Sequence, residues 1–296
     1  YVNLSCLRFK NLPADGQVCV KNPLKIANFT LKNYPYPTPP STDMIQKWQA
    51  ELREKASPEK IETLSRFFKT GPGQYGEGDI FIGLSVPANR EISKKYFDAD
   101  IQVIRAMIES AVHEFRLAAL LALVERYRRT KDDPGRRCIA ELYLDICHLA
   151  NNWDLVDLSA PYIIGAELIA GRSAGDIITL STSPLIGHRR IAVVSTLLPI
   201  RKGQLDTALD MCDRHIADSE QLMQKAVGWV LRECGKKDRL RLEQFINDHI
   251  AAISATTLSY ATEKFSQEER AALRAKRNNS QNRLPRRQFC HAKKYL

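Results

Sequence analysis

Apolar residues recur three and four positions apart along most of this chain, the spacing that lines one face of an α-helix. The pattern predicts helices near 44–55, 58–68, 87–97, 100–110, 112–129, 136–149, 152–170, 187–201, 203–216, 219–234, 238–250 and 254–264. The ends lack it. Six of the fourteen prolines fall in the first 40 residues, which finish in NYPYPTPPST and read as an irregular Pro-rich segment over 1–43. Met44 follows, with Ser41, Thr42 or Asp43 available as a helix cap. Met44 could be a natural start, which would make 1–43 an upstream or cloning-derived segment. Residues 271–296 are basic and unpatterned, and read as a disordered, solvated tail rather than a DNA clamp. The stretch TGPGQYGEGDIFIGLSVP (70–87) is rich in glycine but lacks the order of a phosphate-binding loop. It carries Glu77 and Asp79 where phosphate would need donors, so it reads as a long turn between helices.

Superimposing the helical segments brings out a repeat. FRLAALLALV (115–124) matches RRIAVVSTLL (189–198), and QKAVGWVLRE (224–233) and SYATEKF (259–265) continue the series. With Arg116, Arg190, Lys225 and Tyr260 equivalent, the gaps are 74, 35 and 35 residues; the first is two repeats of 37 and places the missing member at Trp153. A helical-hairpin period of 35–37 residues lies near the tetratricopeptide, ankyrin and HEAT lengths and predicts an all-α helical-repeat solenoid with a concave groove. Positions one turn further on share the face, which pairs Arg116 with Leu120, Trp153 with Asp157, Arg190 with Val194, Lys225 with Trp229 and Tyr260 with Lys264. Indoles, cations and one carboxylate on a single stripe suit a sugar–phosphate backbone, since cations meet phosphates and aromatic faces pack on sugar or base. Each residue alone has a plainer account. A helical tryptophan is more often core, and Asp157 could simply pair with an arginine or cap the next turn. Asp154, one residue off the register, points elsewhere and reads as structural.

Composition narrows the choices. The chain has 296 residues and its longest apolar run, LAALLALV at 117–124, is eight residues, far short of a bilayer span; no signal-peptide pattern opens it. Seven scattered cysteines without a C-x-x-C pair fit a reducing cytosol. Cys138, Cys147 and His148 lack zinc-ligand spacing, and no metal or cofactor motif emerges. The net charge of +10 comes from the ends: 1–43 carries +3 and 271–296 carries +8, while 44–270 holds 31 basic and 32 acidic residues. Any affinity of the body for DNA must therefore be local to a groove.

NNWDLVDLSAPYIIG (151–165), HRRIAVVSTL (188–197) and KAVGWVLRECGK (225–236) closely resemble the AlkD family of bacterial DNA alkylation-repair glycosylases, and FFKTGPGQYGEGDIFIGLSVP (67–87) resembles that family's amino-terminal part. The likeness runs from about 44 to 270 and implies the HEAT-like form of the helical repeat over those residues. It implies a monomeric, cofactor-free N-glycosylase acting on cationic alkylated purines such as 3-methyladenine and 7-methylguanine in duplex DNA, in a bacterial cytoplasm and at the nucleoid. It further implies that the base stays stacked during excision. Residue by residue, it makes Asp157 the catalytic carboxylate, Trp153 and Trp229 the sugar-facing indoles, and Arg190 the phosphate contact. Lys225 and Arg116 join as DNA-binding residues through the register alone. Asn152 departs from the family, which often has tryptophan there. The chemistry agrees: a cationic base leaves without protonation, so what remains to stabilise is positive charge on the deoxyribose. The competing reading is a non-catalytic HEAT-like repeat protein that binds distorted DNA or a protein partner.

Overall fold

Ser41 opens the first helix, its Oγ accepting the Met44 N–H at 3.3 Å, which satisfies one of the free donors of a helix start. The structure, a computed structural model, describes residues 41–283; residues 1–40 of the irregular segment expected over 1–43 and residues 284–296 of the expected tail lie outside them, while Thr42 and Asp43 already belong to the first helix. In chain order the helices are α1 (Thr42–Glu54), α2 (Ile61–Phe67), α3 (Val86–Ser93), α4 (Ile101–Ile108), α5 (His113–Arg129), α6 (Asp133–Ile146), α7 (Trp153–Asp157), α8 (Ala160–Ile169), α9 (Ala174–Ser181), α10 (Ile186–Val194), α11 (Leu197–Arg201), α12 (Asp206–Arg214), α13 (Gln221–Gly235), α14 (Arg239–Asp248), α15 (Ala255–Ala261) and α16 (Gln267–Arg283). Among the described residues no strand forms, only a single bridge between Ile80 and Val112. The fold is all-α, and no described helix is long and apolar enough to cross a membrane.

The hydrophobic run 117–124 lies wholly in the core, because α5 is covered by α3, α4, α6 and α8. Further along, α10 and α13 take the same central place: α10 packs on α7, α9 and α13, and α13 on α12, α14 and α15. Successive helices thus stack along the chain, each central helix burying its apolar face on the pairs before and after it.

Two expected helices are each split by a proline. Pro161 lacks the N–H that would bond the Asp157 carbonyl, so the 152–170 segment breaks into α7 and α8, and α7 ends at Asp157. Pro199 does the same to Ser195, separating α10 from α11. Two helices were not anticipated. The short α9 starts after Ser173, whose backbone is left-handed (φ 61°). The other, α16, runs through residues expected to be disordered. It is polar on every side, so it carries no apolar period, yet Arg277 Nε donates to the Ile253 carbonyl (2.8 Å) and Gln281 to that of Ala251 (3.2 Å), while Leu273 packs on the core. Residues 271–283 therefore belong to the helical body.

The glycine-rich stretch is the long turn expected of it, joining α2 to α3. Its two acids accept hydrogen bonds from the protein itself: Glu77 from the Gly73 N–H, and Asp79 from Arg116 and Asn151. Gly83 has φ 86°, and a Cβ there would stand 2.0 Å from the Ser57 carbonyl oxygen, so glycine is obligatory.

Candidate active site

The turn α7 has only five residues, too few to persist unaided. Asn152 caps it by accepting the Trp153 N–H at 2.9 Å, and Leu155 and Val156 sink fully into the core. With its middle buried, the turn presents its two ends, Trp153 and Asp157, one helical turn apart. The helix stop set by Pro161 thus also fixes where the carboxylate stands.

Asp157 meets Arg190 of α10 in a two-pronged ion pair: Nε donates to Oδ1 at 2.9 Å and Nη2 to Oδ2 at 2.8 Å. Nη1 donates to the Leu222 carbonyl on α13 at 2.7 Å, so one guanidinium fastens α7, α10 and α13 together. The Asp157 side chain keeps 13% of its surface open to solvent, enough to be met from outside. Burial pushes its carboxyl above the ordinary value, and Arg190 opposes that rise. Lys225 and Trp229 follow Leu222 on α13 at helical spacing and are half-buried; Lys225 has no ion pair or hydrogen bond among the described residues.

Trp153 is half-buried, stacked on Phe68 (centroids 5.3 Å, planes 19° apart) and met edge-on by Phe67 (5.8 Å). Phe67 is 61% exposed, an unusual position for a phenyl ring, and widens the aromatic surface around Trp153. The Tyr75 phenol lies near Trp153, and burial raises its pKa while the indole opposes that rise. Phe67 and Tyr75 escaped the sequence reading because the resemblance there was carried by the whole segment rather than by single positions.

Asp154 turns away from this face, as its offset implies, and bonds His113 Nε2 at 2.8 Å. The other ring nitrogen, Nδ1, bonds Asp79 Oδ2 at 3.0 Å. Asp79 also accepts from Arg116 and from Asn151 at 2.9 Å, so two carboxylates and two cations form a buried, charge-balanced cluster behind Trp153. Although burial raises it, Asp79 is held far below the usual carboxylate range by His113, Arg116 and Asn151. For His113, burial pulls the other way, yet its hydrogen bonds to Asp154 and Asp79 push it up to about 9.

The stripe drawn from the repeat is therefore only partly a surface. Asp157 and Arg190 meet directly, Arg190 reaches the α13 backbone at Leu222, and Trp153 shares the turn of Asp157, while Lys225 and Trp229 lie further along that same α13. Leu120 and Val194 are wholly buried, which removes them from any groove. Arg116 is turned inward onto Asp79 and is 8% exposed, so like Arg190 at 6% it stands in an ion pair rather than free on the surface. Arg190, expected on phosphate, spends three of its guanidinium N–H groups on Asp157 and Leu222. Cys147 is buried, its thiol pushed up to about 12 by desolvation, while His148 is exposed.

No curated protein sequence matches the chain. One solved structure that resembles it is described as "Predicted DNA alkylation repair enzyme from Enterococcus faecalis", with a TM-score of 0.57 and 17% identity, covering 72% of this chain and 98% of that one. At that identity the likeness speaks for the fold. The sequence profile of the family described as DNA alkylation repair enzyme matches residues 48–265, which takes in α7, α10 and α13 with every residue of the site. The chain belongs to the DNA alkylation repair enzyme family.

Proposed function

We propose that this protein is an N-glycosylase that removes cationic alkylated purines, such as 3-methyladenine and 7-methylguanine, from duplex DNA held in a concave groove of a HEAT-like helical stack. The observation that carries this reading is the partly open Asp157 carboxylate, fixed by Arg190 at the end of a turn that begins with Trp153. An N-alkylated purine is already charged, so its glycosidic bond breaks with the base as a neutral leaving group and no general acid is needed. Positive charge develops on the deoxyribose, and a preoriented carboxylate beside it lowers the barrier. The indoles of Trp153 and Trp229 add attraction of the cation–π kind. Lys225 contacts a phosphate. Arg190 supports that backbone contact with its remaining N–H groups while keeping Asp157 oriented; Arg116 contributes from inside, through Asp79. The base stays stacked while the sugar is attacked by water, and the enzyme works as a cytoplasmic monomer without metal or cofactor.

The test is release of 7-methylguanine from methylated duplex DNA by the purified protein beside Asp157→Asn. Release by the wild type and its loss by roughly 100- to 1000-fold in the variant, with DNA binding retained, is the expected result. The ion pair itself favours a second reading, a non-catalytic binder of distorted DNA in which Asp157 is only a structural partner of Arg190. Tight, salt-dependent binding without any release would establish that one instead.

A further inference from the structure

Resting on the glycosylase reading, we infer that His113 is a positioning residue for excision: bonded to Asp79 through one ring nitrogen and to Asp154 through the other, it holds in place the turn that carries both Trp153 and Asp157. A five-residue turn has little stability of its own, and its exposed ends are the two residues that must meet the sugar. At the Asp157 end, Arg190 supplies the constraint. At the Trp153 end, the constraint comes from Asn152, the Asp154 carboxylate and the ring stack. Asp154 Oδ1 accepts the Leu155 N–H at 2.9 Å, so its carboxylate ties the turn's own backbone to the histidine.

The ring makes this tie depend on charge. Both nitrogens face carboxylate oxygens, so only the doubly protonated imidazolium donates on both sides; a neutral ring would set a lone pair against one oxygen. His113 is also the first residue of α5, where the helix dipole disfavours a cation. Two buried carboxylates override that. The groups facing His113 are Asp79 from the loop and Asp154 from α7, with Arg116 of its own helix beyond Asp79. Glu114, next in the chain, turns instead to the amides of Ile82, Gly83 and Leu84. Asp154 in turn lies within electrostatic reach of Tyr75 and Asp157. The mechanical link is direct as well: Phe81 stacks on His113 (4.6 Å), Phe68 touches His113 (5.0 Å) and stacks on Trp153 (5.3 Å). Loss of the imidazolium charge would release Asp154 and unsettle the Phe68–Trp153 stack together, displacing the two reacting ends without removing either.

Single-turnover release of 7-methylguanine from methylated duplex, measured against pH and corrected for enzyme-free depurination, tests the inference in the wild type, His113→Gln and Asp154→Asn. Folding is followed by circular dichroism, and DNA affinity is measured separately. The expected wild-type rate falls as pH rises through about 9 while the fold and DNA affinity persist. Folded His113→Gln should lose roughly tenfold to a hundredfold in rate at neutral pH with affinity unchanged, and should lack the alkaline fall. An active wild type whose rate stays flat to high pH, or a folded His113→Gln of wild-type rate, overturns the positioning role and leaves the glycosylase reading standing. Should His113→Gln fail to fold, the wild-type alkaline limb and Asp154→Asn decide alone. A wild type that releases no base at any pH overturns both readings at once.

Discussion

Under the proposed glycosylase function, two demands pull in opposite directions at Asp157. Stabilising a sugar cation requires an ionised carboxylate in a site shielded from water, but shielding itself favours the protonated acid. Arg190 reconciles them by holding both oxygens, and it does so at a carboxyl that burial has already pushed above its ordinary value. Because excision needs the charged form, activity should fall as pH drops through this raised value. Arg190→Gln removes the opposing charge, so its acid limb should lie at higher pH than that of the wild type; superimposable profiles for single-turnover excision would contradict this role for Arg190. Lys225, which no acid among the described residues neutralises, should act on binding alone. Lys225→Ala is expected to weaken DNA binding uniformly across sequences and to lower the salt slope by about one, with little change in the rate of bound substrate. Titrations at several salt concentrations would measure it. Asp157, Trp153, Lys225 and Trp229 could be named from the sequence because they sit at repeat-related or one-turn positions; what folding adds is the pairing of Asp157 with Arg190. The pairing of Asp79 with His113 was not legible: 34 residues separate them, neither stands on the stripe, and only the folded loop brings them together.

The element scale turns on close approaches that the sequence marks faintly. Gly228 lies where α13 crosses α15: a Cβ there would fall 2.5 Å from that of Tyr260 and 2.7 Å from the Thr257 carbonyl oxygen. Thr257 Oγ1 reinforces the contact by donating to the Gln224 carbonyl at 3.1 Å. Gly228→Ala should therefore force the two helices apart and destabilise the protein by about 1–3 kcal/mol in urea unfolding, despite the better helix propensity of alanine. Excision should suffer too, because Trp229 is the next residue. Helix existence was well marked by apolar period, and so were most boundaries. The failures have physical causes. Pro161 and Pro199 break helices whose apolar pattern continues across the break, while α16 has almost no apolar face and is secured by side chains reaching backbone carbonyls of Ala251 and Ile253. Hydrophobic spacing cannot report a helix held in that way.

Across the whole molecule, the buried cluster behind Trp153 ties stability to pH from both sides. His113 has a folded-state value near 9, above the roughly 6.5 of an unfolded histidine, so its contribution is complete below the unfolded value and is lost as pH rises through about 9. Asp79 is displaced downward, so its contribution is present above the ordinary carboxylate value and disappears as pH falls below it. Tm should accordingly form a plateau between mildly acidic and neutral pH and decline on either side, and Asp79→Asn should flatten the acid side. A Tm that kept rising from neutral pH to pH 10 would contradict the assignment. Charges nearly balance over 44–270, so the proposed function needs its attraction to DNA to come from local charges, for which Lys225 is the candidate.

Glu114 has one consequence for the timescales of the loop that carries Asp79. Its buried carboxylate gathers the N–H groups of Ile82, Gly83 and Leu84 at 2.9–3.1 Å, so these amides cannot meet water unless α5 and the loop separate. Gly73, by contrast, donates only to the exposed Glu77 side chain. Deuterium uptake should divide the segment sharply, with exchange within seconds around Gly73 and protection close to that of the global fold from Ile82 onward. The same loop would then be pliant where it nears solvent and rigid where it supports the site, with Asp79 standing at the border between the two.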